Sequence, residues 1–558
     1  MTTSLAQRVL GLVAIVVCVL APFLGKAFHI DDPLFLWIAQ QISKNPTDPY
    51  GFSVNWYSVA QPMFSIMQNP PLGSYYLAGA AAAVGWSEPA LHLAFLLPAI
   101  AAITGTFFVA RRLCGSPFSA ACITLFAPVF LVSATGVMCD VLMLAFWIWG
   151  IECWLRGYEN DNWMFPAIAS VLIAAAALTK YFGISLVPLL AIYTLVRERR
   201  FSLRLSFLIL PLLVIAGYEY ATRAAYGQGL FSNATIYSWS HSVEANKQIL
   251  RPLVTGLSFL GGGLIGALFF VPLMNARKFL LLTGIAFVAL VPLFYFFVAR
   301  AFSSGIGLAT MAGEGALFAA VGIGILALAV GDTLRKCTAE SLLLSLWVVG
   351  TFIFAAFMNW SVTSRTILPI APALGILLAR RFEANGGAEP KRPFAMWCPI
   401  VPGAILSLLI AAADYSLAET ARSAARYFQQ RLQPESRVVW FQGHWGFQYY
   451  MEKWGARSFD VENSRLSLED VMIVPLSNTN LVPLHNDDVI FPEKVEFPHL
   501  AFLATMSKGA ALSTYPSALG PLMAGNGAGV GFYSSVWGPL PWGIMAVAPE
   551  YYYLVRIR

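Results

Sequence analysis

Residues 71–86 read PLGSYYLAGAAAAVGW, and whether they cross a membrane fixes the topology of everything after them. The stretch is apolar enough to tempt a spanning assignment. Thirteen other stretches, from 8–24 through 90–110, 117–135, 138–155 and 163–179 to 366–380 and 394–413, supply the ~20 apolar residues that a bilayer core demands of a helix. Basic clusters flank them: Arg111-Arg112, Arg156, Arg197 to Arg200, Arg277-Lys278, Arg335-Lys336, Arg380-Arg381 and Lys391-Arg392. With thirteen spans and the N-terminus inside, all these clusters fall on the cytoplasmic side, 16 Lys/Arg inside against eight outside over residues 1–413. That is the bias the positive-inside rule describes. Counting 71–86 as a span inverts every later cluster. Residues 71–86 therefore read as a juxtamembrane or partly inserted helix within a long outer loop, 25–89.

Composition supports this reading. The 558 residues are 58% hydrophobic and only 11% charged, where soluble domains are nearer a quarter charged. Residues 1–413 hold 24 basic and 16 acidic side chains, whereas 414–558 hold 11 and 13. The expectation is an all-α polytopic membrane domain, 1–413, followed by a small α/β soluble domain, 414–558, on the outer side. In the latter, 437–441 and 471–476 read as strands and 446–454 as a short helix. All seven cysteines lie before residue 414 and form no CxxC pair. The apolar stretch near the N-terminus lacks a small-x-small cleavage site and reads as a retained first helix. The net charge of +6 is explained by topology, and no basic, aromatic-laced tract suggests a nucleic-acid partner.

Charge at membrane depth is costly, so it marks function by default. The topology sets Asp31 and Asp32 after the first span, Asp140 at the start of the fourth, Lys180 between the fifth and sixth and Arg365 at the entry to the twelfth, all on the outer side. Glu314 approaches the same level, and His241 lies in an outer loop near Trp239. An acid pair with two separate cations suits an anionic phosphate beside a general base. Plainer readings stand beside these: Asp32 and Asp140 as helix caps, Lys180 and Arg365 as snorkelling flanks.

In this order the motifs resemble the GT-C glycosyltransferases, and are most similar to the branch of protein O-mannosyltransferases and the lipid A aminoarabinose transferase. The resemblance runs over about residues 8–413. It rests on Asp31-Asp32 before the amphipathic PLFLWIA, Asn69-Pro70-Pro71-Leu72 with Tyr75-Tyr76, Met138-Cys139-Asp140, Thr179-Lys180-Tyr181 and Ser364-Arg365-Thr366. Three positions depart from the pattern: Asp32 in place of Glu, Asn69 in place of Lys or His, and Thr366 in place of Tyr.

The resemblance implies transfer of a sugar from a polyprenyl-phosphate donor to a hydroxyl acceptor (lipid, glycan or protein) at the outer membrane face. Asp31 would be the base and Asp140 a second catalytic acid. Lys180 and Arg365 would grip the phosphate, with Asp32, Asn69, His241 and Glu314 as further substrate contacts. No cofactor is implied with certainty, and a divalent metal ion stays open. The expected location is the bacterial inner membrane, among its lipids, with the N-terminus cytoplasmic and 414–558 periplasmic. The rivals are a transporter or flippase for a lipid-linked substrate and a non-catalytic assembly subunit. The one-sided placement of the charges argues against the first.

Overall fold

The computed structural model describes residues 4–245, 249–274, 277–299, 306–387, 395–432, 438–482, 484, 489–507 and 529–558. Lys391-Arg392 lie outside them. Among the described residues seven helices are long and apolar enough to cross a bilayer, or up to nine if each of two bent pairs is one span, which makes the chain a multi-pass membrane protein.

The count of thirteen is not reached among the described residues, for reasons visible in the helices. The expected span 138–155 is the helix Asp140–Glu159, which carries Glu152 and Arg156 within its length. The span 163–179 is the 16-residue helix Met164–Thr179. The spans 117–135 and 251–274 are bent by 64° and 70°. The span 366–380 is broken after a single turn, Ser364–Ile367, before Ile370–Phe382.

Residues 72–84 form a helix of 13 residues. At ~1.5 Å per residue it reaches about 20 Å, short of the ~30 Å hydrocarbon core. The helix Asp32–Lys44, a hairpin of Ser53–Asn55 with Ala60–Pro62 and the one-turn helix Met63–Ile66 lie in the rest of loop 25–89.

The helix ends that carry most of the basic clusters are joined at one end of the bundle. Arg112 makes a two-pronged bond to Glu152, at 2.8 Å for each prong. Arg197 meets Glu340 at 2.5 Å, Arg380 lies 3.1 Å from Asp332, and Glu383 accepts the Gly115 N–H at 3.0 Å. The opposite end holds Asp31, Asp140, Lys180 and Arg365.

The division expected after residue 413 falls inside one helix, Trp397–Leu432, 36 residues long. Beyond it a five-stranded sheet runs in the order Arg457–Ser458, Val439–Phe441, Val471–Pro475, Glu550–Ile557, Val489–Phe497. The first two pairings are parallel and the last two antiparallel. Val471–Pro475 is buried throughout, as a central strand covered on both faces must be. The short helix Trp445–Trp454 matches expectation to one residue. The central strand Glu550–Ile557 was not read from the sequence. The sheet region rests on the bundle: Asn55 donates to the Phe459 carbonyl (2.9 Å), the Ala60 N–H to Asp460 (3.1 Å), and Trp542 to the Gly262 carbonyl (2.8 Å).

Candidate active site

Four charged side chains picked out in the sequence meet in one alternating row. Lys180 Nζ donates to Asp140 Oδ1 at 2.6 Å. Arg365 Nη1 lies 3.8 Å from Asp140 Oδ2, and Arg365 Nη2 donates to Asp31 Oδ2 at 2.8 Å. Asp31 is the most open of the four side chains, 30% exposed, against 3% for Asp140. Arg365 also has a buried Nε–H with no partner among the described residues. The row therefore has one reachable carboxylate and one spare donor.

Local structure explains the convergence. Asp140 opens the helix Asp140–Glu159 and Lys180 closes Met164–Thr179. Each charge thus sits at the helix end whose dipole favours it. Gly183 lets the turn after Lys180 fold back: a Cβ there would lie 2.3 Å from the Ala176 carbonyl carbon. Arg365 sits in the one-turn helix Ser364–Ile367, started by the Thr363 side chain accepting from the Thr366 N–H.

Asp32 faces away from this row. It is buried, and its carboxylate accepts the His29 N–H (2.9 Å) and the Val137 N–H (3.0 Å). These bonds tie the loop that carries Asp31 to the loop that leads into Asp140. Burial pushes the Asp32 carboxyl up to about 6, against the pull of both N–H groups and of Lys26. Immediately before the two acids, Ile30 adopts φ +47°, a left-handed conformation that is costly for a β-branched residue and typical of functional loops.

The remaining candidates are dispersed. Asn69 lies beside a tyrosine group, its carbonyl accepting from Tyr50 Oη at 2.9 Å. Tyr181, next to Lys180, is 3.5 Å from Tyr218 Oη in the same group. His241 is exposed and bonded within its own helix, to the Tyr237 carbonyl at 2.8 Å. Glu314 accepts the Ile544 N–H at 3.0 Å. Among the described residues neither His241 nor Glu314 has a hydrogen bond to the charged row.

Three residues that sequence reasoning passed over stand directly behind the row. Lys26 and Asp414, both fully buried, pair at 2.5 Å. Tyr533 Oη donates to Asp414 at 2.7 Å, and the Arg365 guanidinium lies over the Tyr533 ring at 5.6 Å. The one available signal was the placement of Lys26, a lone lysine just past the first apolar stretch.

Among the described residues no group of three or more His, Cys, Asp or Glu side chains is placed to hold a metal ion. Asp31 and Asp140 are each turned to a cation, so this donor set does not fit a divalent metal.

An apolar groove of about 620 Å³ runs between the helices Leu72–Val84 and Glu88–Leu113, lined by Tyr75, Tyr76, Ala80, Leu93 and Leu97 among others. Its helix begins beside the row, since a Cβ on Gly73 would lie 3.1 Å from Cys139 Cβ.

Residues 68–218 match the dolichyl-phosphate-mannose-protein mannosyltransferase family. This bears out the resemblance to GT-C glycosyltransferases read from the motifs. The matched segment contains Asn69, Asp140 and Lys180; Asp31 and Arg365 lie outside it. No curated protein matches the chain in sequence.

Among solved structures, an Archaeoglobus fulgidus oligosaccharyltransferase tethered with an acceptor peptide is 12% identical, with a TM-score of 0.48. The match covers 81% of this chain, which spans 63% of that one. ArnT from Cupriavidus metallidurans bound to undecaprenyl phosphate is 16% identical, with a TM-score of 0.41, over 85% of this chain and 94% of that one.

Proposed function

We propose that the protein is a membrane glycosyltransferase that moves one sugar from a polyprenyl-phosphate donor to a hydroxyl acceptor. The single observation that carries this reading is the alternating row Asp31, Arg365, Asp140, Lys180, with its open carboxylate and its unpartnered Arg365 Nε–H. The family match over 68–218 supports the donor class. The groove beside Leu72–Val84 has the volume and apolar lining for an isoprenoid chain.

In the step itself the acceptor oxygen attacks the anomeric carbon while its proton passes to Asp31. The bond from that carbon to the phosphate oxygen breaks, and the electron pair leaves with polyprenyl phosphate. Lys180 and Arg365 stabilise the charge that develops there. A phosphate seated between the two cations competes with Asp31 for Arg365. Donor binding thus frees the carboxylate to act as base. Asp140 holds the two cations on either side of its carboxylate, one at each oxygen. Asp32 positions the loops rather than touching substrate, and Asn69 borders the sugar. His241 and Glu314 lie at the periphery. We further propose that the end joining the basic clusters faces the cytoplasm and that the row and residues 414–558 face the periplasm of a bacterial inner membrane.

The test follows release of free polyprenyl phosphate by purified protein given a panel of polyprenyl-phosphate sugars and a membrane extract as acceptor. Wild type releases it with one donor, and Asp31→Asn lowers the rate by roughly 100-fold or more, as loss of a general base does. Equal rates in both proteins remove Asp31 as base. No release from any donor overturns the transferase reading.

A further inference from the structure

Residues 532–535 are bonded directly to the segment just before Arg365. The Ser364 N–H donates to the Phe532 carbonyl at 2.9 Å and the Ser535 N–H to the Val362 carbonyl at 2.8 Å. The Val362 N–H donates to Ser535 Oγ (3.1 Å), and Ser534 Oγ bonds Ser361 Oγ (3.1 Å).

Tyr533 sits in the middle of this staple and is 4% exposed. Its ring centroid is 5.6 Å from the Arg365 guanidinium carbon and 5.5 Å, edge to face, from the His29 ring. Its hydroxyl is fixed by Asp414. Asp414 is fixed in turn by Lys26 and by Thr505 Oγ1 at 2.9 Å. Lys26 also donates to Thr135 Oγ1 at 3.0 Å, in the loop that leads to Asp140.

Such an outlay of buried polar groups is expensive unless every member is satisfied. The hydroxyl of Tyr533, both oxygens of Asp414 and the ammonium of Lys26 all are. Their common product is the placement of one aromatic face against one guanidinium.

We propose that Tyr533 is a positioning residue for Arg365. The aromatic wall presents the guanidinium to the anion it binds, so the charged row in the membrane bundle is completed by a residue from beyond position 414. The ring face attracts the cation without offering a competing acceptor; Nη1 is turned to Met138 Sδ and Asp140 and Nη2 to Asp31, and the Nε–H is left for an incoming anion. The identity of that anion as a lipid phosphate rests on the function proposed above; the positioning itself does not.

The experiment uses the full chain, purified, as wild type, Tyr533→Phe, Tyr533→Leu and Asp414→Asn. Two readouts are taken: the rate at which phenylglyoxal modifies Arg365, followed by mass spectrometry, and the binding of undecaprenyl phosphate. Tyr533→Leu is expected to speed Arg365 modification and weaken undecaprenyl phosphate binding by roughly five- to thirtyfold. Tyr533→Phe, which keeps the ring, falls between Leu and wild type and restores most of the binding. Asp414→Asn, which loosens the hydroxyl and also takes the counter-charge from Lys26, speeds Arg365 modification at least as much as Tyr533→Phe.

Should the Leu variant fail to fold, a rise in Arg365 modification in Tyr533→Phe carries the proposal. Wild-type modification rates in every folded variant overturn it, even if melting temperatures drop, because a purely structural tyrosine would give that pattern. A wild type that binds no undecaprenyl phosphate while Tyr533→Leu still unmasks Arg365 upholds the positioning and overturns the phosphate reading instead.

Discussion

Asp32 illustrates how little an adjacent pair of acids says about which one does the chemistry. Both sit where charge is costly, and that much is legible in the sequence. The partner that turns Asp32 inward, the Val137 N–H, is 105 residues away, and no local pattern announces it. Its pH behaviour follows from burial. The folded carboxyl titrates at about 6, above the ordinary 3.8, so the fold favours the protonated form. The stability this gives is fully present below pH ~4 and is lost as pH rises through about 6, a change of about 3 kcal/mol. Asn at this position cannot titrate, but it leaves one backbone N–H poorly served, at about 1–3 kcal/mol. Melting curves of Asp32→Asn and wild type in detergent should therefore lie furthest apart at pH 4 and converge by pH 7. A gap that does not change with pH would show that the wild-type carboxyl is not strained by its burial.

The helix Trp397–Leu432 is the element on which the sequence reading and the structure differ most. Composition changes at residue 413, and a change of composition reads as a boundary. Backbone hydrogen bonding is indifferent to composition, however, and 36 residues at ~1.5 Å each make a rod of about 54 Å. The rod leaves the ~30 Å core without a break. Asp414, about halfway along, looks like the first residue of a soluble domain and is instead fully buried against Lys26. Removing one partner of a buried pair strands the other charge, so Asp414→Ala should cost about 3–5 kcal/mol. The double variant Lys26→Met with Asp414→Leu should recover much of that loss, although Tyr533 and Thr505 lose their acceptor. Strictly additive losses, measured as melting temperatures in detergent, would show that the two residues are not coupled.

Across the whole molecule the charges sort to two ends, and this sorting was the most legible property of the chain. Clusters at Arg112, Arg197 and Arg380 were assigned to one face from parity alone, and their carboxylate partners now join those helix ends. The charged row was legible for the same reason, since four ionisable side chains on the other face had few structural excuses. Tyr533 was not, because it lies in an aromatic-rich tail where any ring reads as loop or strand. The same holds for Glu550–Ile557, whose YYYLVRI lacks the alternation that marks a half-buried strand. Topology has its own test in the short helix Leu72–Val84. With the seven native cysteines replaced, single cysteines at Gln68 and Ser87 should react with an impermeant maleimide from the same side of sealed vesicles. Labelling from opposite sides would make Leu72–Val84 a crossing and reverse the facing assigned to every later helix.

The strand Glu550–Ile557 lies between Val471–Pro475 and Val489–Phe497, so until residues 550–557 arrive Val471–Pro475 pairs with Val439–Phe441 alone and Val489–Phe497 has no partner in the sheet. On the ribosome, Asp31 is made more than five hundred residues before that strand, and Arg365 more than a hundred and fifty. Until residue 533 is made, Arg365 has no tyrosine ring behind it. A chain cut short anywhere before residue 533 lacks the ring that packs on Arg365, so two halves of one contact are made more than a hundred and fifty residues apart.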